Sequence, residues 1–368
     1  MTQRTIAVPR RPSPAVPRPR LSAVPRRLSL LALPLLATAV LIAGCGGSSD
    51  TAGGSSAQAA TGGNGPKLSL VAYSTPQAVY DELIPAFAKT PQGKGVGFTE
   101  SYGPSGEQSR AVESGQAADV VAFSLAPDVD RLVKDGLVSS SWTESPHHGF
   151  VTNSIAVLVV RKGNPKHIRT WADLVRPGVQ VLTPNPFTSG GAKWNLMAAY
   201  GAQLKQGKSP AQALAYLRTL ITQHVKVQDK SGRESLQDFL GGNGDVAITY
   251  ENEAITAQQK GAKVDYVVPD QTILIQNPVA VTEKAKPQAA AFLRYLWTAP
   301  AQQAFAEHGY RPVLPSVAKR FKTRFPTPPG LFTIEDLGGW SKVNDQFFDP
   351  QRGSVTGIEQ AAGVSTAK

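Results

Sequence analysis

The sequence predicts an α/β protein with mostly parallel sheets, and three observations carry that expectation. Short apolar runs alternate with stretches of helical periodicity from Lys67 onward. Loops of small residues join most of these runs to the helix that follows. The 368-residue chain is 41% hydrophobic and 18% charged, which supplies a sizeable core over two or three domains and excludes global disorder.

The N-terminal segment reads as an export signal. Seven of the 38 basic residues lie before Gly44, where there is no acid, so the formal +11 reduces to 31 basic against 27 acidic side chains on the rest. That near balance removes the case for a nucleic-acid partner. Arg26-Arg27 precede an apolar stretch, Leu28 to Ala43, that is too short and too broken for a stable membrane span. It ends in Leu41-Ile42-Ala43-Gly44-Cys45, which resembles a bacterial lipobox, and Cys45 is the only cysteine. Residues 1–44 are thus expected to be a lipoprotein signal, with Cys45 acylated and the protein held on the outer face of the cytoplasmic membrane or in the periplasm. One cysteine also excludes a disulfide framework and a CxxC zinc site. Gly46 to Pro66 carry no aromatic and no large aliphatic side chain, so residues 45–66 are expected to be a flexible tether.

The body follows in order. Leu68 to Ala72 read as a strand, and Pro76 to Ala88 as a helix with Val79, Leu83, Ala86 and Phe87 on one face. A helix near Gln108–Gly115 precedes a buried strand, Ala118 to Phe123. Ile155 to Val160 form a long apolar run that stops at Arg161-Lys162-Gly163-Asn164-Pro165. Val179 to Thr183 and Val246 to Tyr250 read as further strands.

Four loops place small or hydroxyl residues before a helix: Ser74-Thr75-Pro76, Gly103-Pro104-Ser105-Gly106, Ser189-Gly190-Gly191-Ala192 and Ser231-Gly232. Helix starts have unpaired N–H groups and partial positive charge, so they suit anions. Each loop taken singly also fits ordinary N-capping, and only convergence would make a site.

Thr183-Pro184-Asn185-Pro186 with Thr188-Ser189-Gly190-Gly191-Ala192-Lys193-Trp194-Asn195 resembles the signature of bacterial sulfate- and thiosulfate-binding proteins of ABC importers. Gly103 with Ser105-Gly106 and Gln108, Ala118 to Val121, Val160 to Pro165, Glu251-Asn252-Glu253-Ala254, Tyr310-Arg311-Pro312, Phe332-Thr333-Ile334 and Gly338-Gly339-Trp340 extend the resemblance over roughly residues 67–348. It implies a two-lobe periplasmic-binding-protein-like fold (type II) with the ligand in the cleft between lobes. Crossovers are expected near Thr152–Val160 and Ile273–Val281, with lobe one comprising residues 67–152 plus 282–368 and lobe two 153–281. It further implies a non-enzymatic monomer that needs no cofactor or metal and passes sulfate or thiosulfate to ABC permease subunits.

The resemblance implies a site of uncharged donors. These are the N–H of Ser74, the hydroxyl of Ser105 with the N–H of Gly106, the N–H groups of Gly190, Gly191 and Gly232, and Tyr250 where the family presents an indole. A phenol accepts as well as donates. Sulfate carries no proton at neutral pH, so donors alone satisfy it, whereas protonated phosphate meets a donor-to-donor conflict. Tyr250 otherwise packs in the cleft wall. Glu107, where the family has lysine, would repel a dianion if it faced the cleft; otherwise it is a solvated acid at a helix start. Molybdate or phosphate capture is an alternative of the same class, and a ligand-free structural lipoprotein another. A serine hydrolase using Ser105 is disfavoured, because Gly103-Pro104-Ser105-Gly106-Glu107 lacks the last glycine of Gly-x-Ser-x-Gly. His147-His148 are read as a solvated loop, since adjacent histidines rarely share a metal ion.

Overall fold

The computed structural model describes residues 57–61 and 65–367. The expected signal, Cys45 and the first part of the tether lie outside the described residues. Among the described residues twelve strands run in chain order: β1 (Ala57–Thr61), β2 (Lys67–Tyr73), β3 (Gly97–Gly103), β4 (Val120–Ala122), β5 (Phe150–Arg161), β6 (Val181–Leu182), β7 (Val225–Val227), β8 (Val246–Tyr250), β9 (Val264–Val267), β10 (Gln271–Val281), β11 (Arg311–Pro312) and β12 (Gly330–Phe332). Nine of them follow the path β1-β3-β2-β4-β10-β5-β8-β6-β7.

The apolar runs read as strands because both faces of each sheet are covered. In β2, Leu68, Leu70 and Ala72 pack with Phe87, Phe98 and Phe292, while Val71 turns to Val121, Phe123 and Leu132. In β5, Ala156, Leu158 and Val160 meet the helix side chains Trp194 and Leu217, and Ile155, Val157 and Val159 meet Phe239 and Ala254. The β2–β3, β2–β4 and β6–β8 pairings are parallel.

Two strands join the lobes. β5 and β10, of 12 and 11 residues, pair antiparallel from Leu274↔Ile155 to Pro278↔Phe150. At one end Val279–Val281 continue onto β4; at the other Ala156–Val160 continue onto β8. These strands contain the residues expected at the crossovers. The loops at the carboxyl ends of β2, β3, β4 and β8 therefore open toward one cleft, the usual ligand position in such sheets.

Two expectations are corrected. Part of the tether is not free coil, because Ala57–Thr61 add antiparallel to the edge of β3, Ala57 opposite Ser101. An edge strand presents unpaired backbone groups, so pairing there needs no large side chains. The C-terminal segment does not all pack on the first lobe. Phe292 and Phe305 do, but Phe332, Ile334, Val343, Phe347 and Ile358 share a core with Trp194, Tyr200 and Leu217 of the second lobe. β12 lies parallel to β10 at Gln271–Ile273, the end of that strand on the second-lobe side.

Candidate functional site

The cleft encloses a small cavity. Tyr73, Ser74, Thr75, Gly103, Ser105 and Ser124 line it from the first lobe, and Ser189, Gly191, Asn195, Ser231, Gly232, Thr249, Tyr250 and Glu253 from the second. Its volume of about 20 Å³ exceeds the minimum for one water and is too small for a sugar or peptide. Five of the seven expected ligand residues, Ser74, Ser105, Gly191, Gly232 and Tyr250, are brought together here. Gly106 and Gly190 border an adjoining recess with Arg110, Arg131 and Lys193.

Three helices begin at the cavity: Ser105–Glu113, Gly190–Lys205 and Gly232–Leu240. Their first N–H groups have no partner within the helix. The capping and anion readings prove compatible, because different groups serve each. Ser189 Oγ accepts from Ala192 N–H at 3.4 Å, and Ser231 Oγ from Glu234 N–H at 3.2 Å. The N–H groups of Gly190, Gly191 and Gly232 donate to no other backbone group among the described residues. These N–H groups are left open to an oxyanion, and the three helix starts direct partial positive charge inward.

Two expected donors are committed elsewhere. The Ser105 hydroxyl donates to Asp128 Oδ2 at 2.6 Å and accepts Ser124 N–H at 2.9 Å, so it braces the first lobe and leaves only the Ser105 N–H toward the cavity. Gly106 N–H donates to Thr188 C=O at 3.2 Å, across the cleft. Glu107 does not line the cavity.

Tyr250 ends β8 with its hydroxyl 2.7 Å from Ser124 Oγ of the opposite lobe. Burial pushes the phenol well above its ordinary range, so it stays protonated. Two hydroxyls share one bond in that pair, leaving one proton to direct elsewhere. Ser124 also accepts Trp194 Nε1–H at 2.9 Å and Asn277 Nδ2–H at 3.0 Å on its carbonyl. Sequence reasoning missed Ser124, although a serine directly after a buried strand was the available signal. It also missed Tyr73, which lines the cavity and whose hydroxyl is buried beside that of Tyr310.

Glu253 was missed as well. It is 7% exposed, accepts a short hydrogen bond from Thr249 Oγ1, and lies 3.4 Å from Thr75 Oγ1 of the first lobe. Burial raises its pKa against the opposing pull of Thr249, the Arg233 charge and Thr75. Arg233 itself clasps the cleft mouth, donating to Gln77 Oε1 and, at 3.4 Å, to Thr75 C=O.

Residues 68–311 match the model of a family described as bacterial extracellular solute-binding protein. The chain is 44% identical over 323 residues to a sulfate-binding protein of Synechococcus elongatus, covering 85% of this chain and 90% of that one. It is 35% identical over 292 residues to a thiosulfate-binding protein of Pseudomonas aeruginosa, covering 76% and 88%. The solved sulfate-binding protein SubI of Mycobacterium tuberculosis is 45% identical, with a TM-score of 0.75 over 77% of this chain and all of that one.

Proposed function

We propose that this chain, which belongs to the bacterial extracellular solute-binding protein family, captures sulfate outside the cytoplasm and delivers it to an ABC permease. The observation that carries the reading is the convergence of three helix starts on one small cavity lined by glycine and serine, with no lysine or arginine in its wall. Such a cavity offers donors to a ligand that only accepts. The proposed donors are the N–H groups of Ser74, Ser105, Gly191 and Gly232, with Tyr250, Ser124 and Tyr73 as hydroxyl partners. The similarity to sulfate-binding proteins over most of the chain supports sulfate, and the thiosulfate-binding relative favours thiosulfate as a second ligand.

The cross-cleft bonds support a hinge mechanism. Ser124–Tyr250, Gly106–Thr188 and Arg233–Thr75 all join the lobes, and a bound anion adds to them. The closed surface then identifies the loaded protein to the permease. The packing supports a first lobe of residues 67–152 with 282–310 and a second of 153–281 with 330–358, while Phe321 and Phe325 lie with Ile255 and Tyr266 of the second. Cys45 is proposed as the acylated anchor, which Cys45→Ser would abolish in a detergent-partitioning assay. Calorimetric titration of the purified protein with sulfate, thiosulfate, phosphate and molybdate tests the central reading: sulfate binds with a resolvable heat, and a response to phosphate or molybdate alone would overturn it.

A further inference from the structure

On the reading that the cavity takes sulfate, we propose that Glu253 carries its proton while the dianion is held, so that capture is coupled to protonation of this one acid. Glu253 stands in the first turn of the helix Glu251–Gln259 and lines the cavity itself. Its Oε2 would lie 3.2 Å from a β-carbon placed at Gly232, which puts the carboxyl against one of the three helix starts offered to the anion. A carboxyl group therefore sits in the wall of a cavity too small to keep it apart from a ligand of the same sign.

The groups facing Glu253 do not neutralise it by pairing. Arg233, on the helix Gly232–Leu240, is the cation whose charge acts on Glu253, but its hydrogen bonds go to Gln77 and to the Thr75 carbonyl. Lys260 faces only the outer recess that Glu253 also borders. Tyr250 on β8, Tyr73 on β2 and Tyr310 before β11 are buried phenols, held neutral by desolvation. Thr249 and Thr75 contribute hydroxyls without charge.

Two costs oppose an ionised Glu253 in the loaded state. One is burial away from water, and the other is repulsion by a dianion within the same cavity. Protonation removes both and converts an acceptor into a donor, the only kind of group sulfate can use. By linkage, an anion that favours the protonated acid is itself bound more tightly as pH falls. Within a site of otherwise uncharged donors, Glu253 is thus the group that gives capture a pH dependence.

Infrared difference spectra of the full protein, with and without saturating sulfate at pH 8, test this directly. Glu359, another buried glutamate, whose pKa burial lifts to about 7, is mostly ionised at that pH. The sulfate complex is expected to show a carboxylic-acid carbonyl band that Glu253→Gln lacks. At higher pH, as that band fades, wild-type Kd should weaken by up to about tenfold per pH unit while the Glu253→Gln profile stays flat. Should the variant fail to fold, carbon-13 shifts of glutamate carboxyls in the wild-type complex decide, one remaining at the acid value. A saturated complex with every glutamate ionised overturns the inference and leaves the sulfate reading standing. No sulfate binding at all overturns both.

Discussion

Gly190→Ala places a methyl group where the lobes meet. A β-carbon at Gly190 would lie 2.7 Å from Leu125 Cδ2, 2.8 Å from Ser124 Oγ and 2.9 Å from Ser124 Cβ. All three atoms belong to the first lobe, whereas Gly190 starts a second-lobe helix. Carbon contacts are comfortable at about 3.5–4.0 Å, so the lobes must part by roughly 1 Å or the Ser124 loop must shift. The loop is poorly placed to yield, because Ser124 is tied through its N–H to Ser105 and through its carbonyl to Trp194 and Asn277. Overpacking of this kind costs about 1–3 kcal/mol, and here the cost falls on the closed form alone. A penalty on closure appears as weaker binding of about 5–150-fold. Gly191→Ala is the control: its β-carbon would approach nothing nearer than 3.4 Å, and the N–H remains. Calorimetric titration with sulfate and thermal unfolding without it should be run on both variants. The expected pattern is lost affinity with unchanged ligand-free stability for Gly190→Ala, and a change of less than about fivefold for Gly191→Ala, corresponding to the lower end of that penalty. Wild-type affinity in Gly190→Ala would refute cleft closure as drawn, and an equal loss of ligand-free stability would show that the clash is not confined to closure.

Three further perturbations probe separate parts of the molecule. Arg311→Ala strands the buried Glu251 carboxylate, now held at 2.7 and 3.0 Å by the guanidinium, and should cost about 3–5 kcal/mol in denaturant unfolding; a loss below about 1 kcal/mol contradicts the pairing. Glu359 is buried, and desolvation lifts its pKa from 4.5 to about 7 against a hydrogen bond from Gln228. Because the folded value is raised, its contribution is complete below about pH 4.5 and is lost as pH rises through 7, about 3 kcal/mol in all. Glu359→Gln should flatten that decline, and an unchanged pH–stability profile would exclude it. Tyr250→Phe removes one hydroxyl from the Ser124 pair and should weaken sulfate by about 1–3 kcal/mol, measured by titration; unchanged affinity leaves Tyr250 as packing.

Much of the framework was legible because it follows local rules. β8 was read at its observed bounds, and the helix Gln77–Ala88 began one residue after the expected start, since apolar periodicity reports burial directly. The helix starts at Gly190 and Gly232 were visible as serine–glycine pairs, where the serine caps and the glycine stays open. What failed depends on contacts distant in sequence. Ser124 meets Tyr250 across 126 positions, and Glu253 reaches Thr75 across 178, so neither partner is implied by its neighbours. The Ser105 hydroxyl was expected in the cavity because its loop is there, but Asp128, 23 residues on, holds its proton. Ala57–Thr61 escaped notice because backbone pairing to an open edge leaves no apolar signature. The turn of the C-terminal segment onto the second lobe rests on Phe332 and Phe347 finding Trp194 and Tyr200, which composition does not reveal.

The most direct test is a crystal structure of the protein grown with sulfate as the only tetrahedral anion. Sulfate oxygens should lie about 3 Å from the N–H groups of Ser105, Gly191 and Gly232, with the Tyr250 or Ser124 hydroxyl completing the shell and no lysine or arginine in contact. A closed cleft with sulfate absent from this cavity, or held instead by Arg110, Arg131 and Lys193 in the adjoining recess, would contradict a site built from uncharged donors.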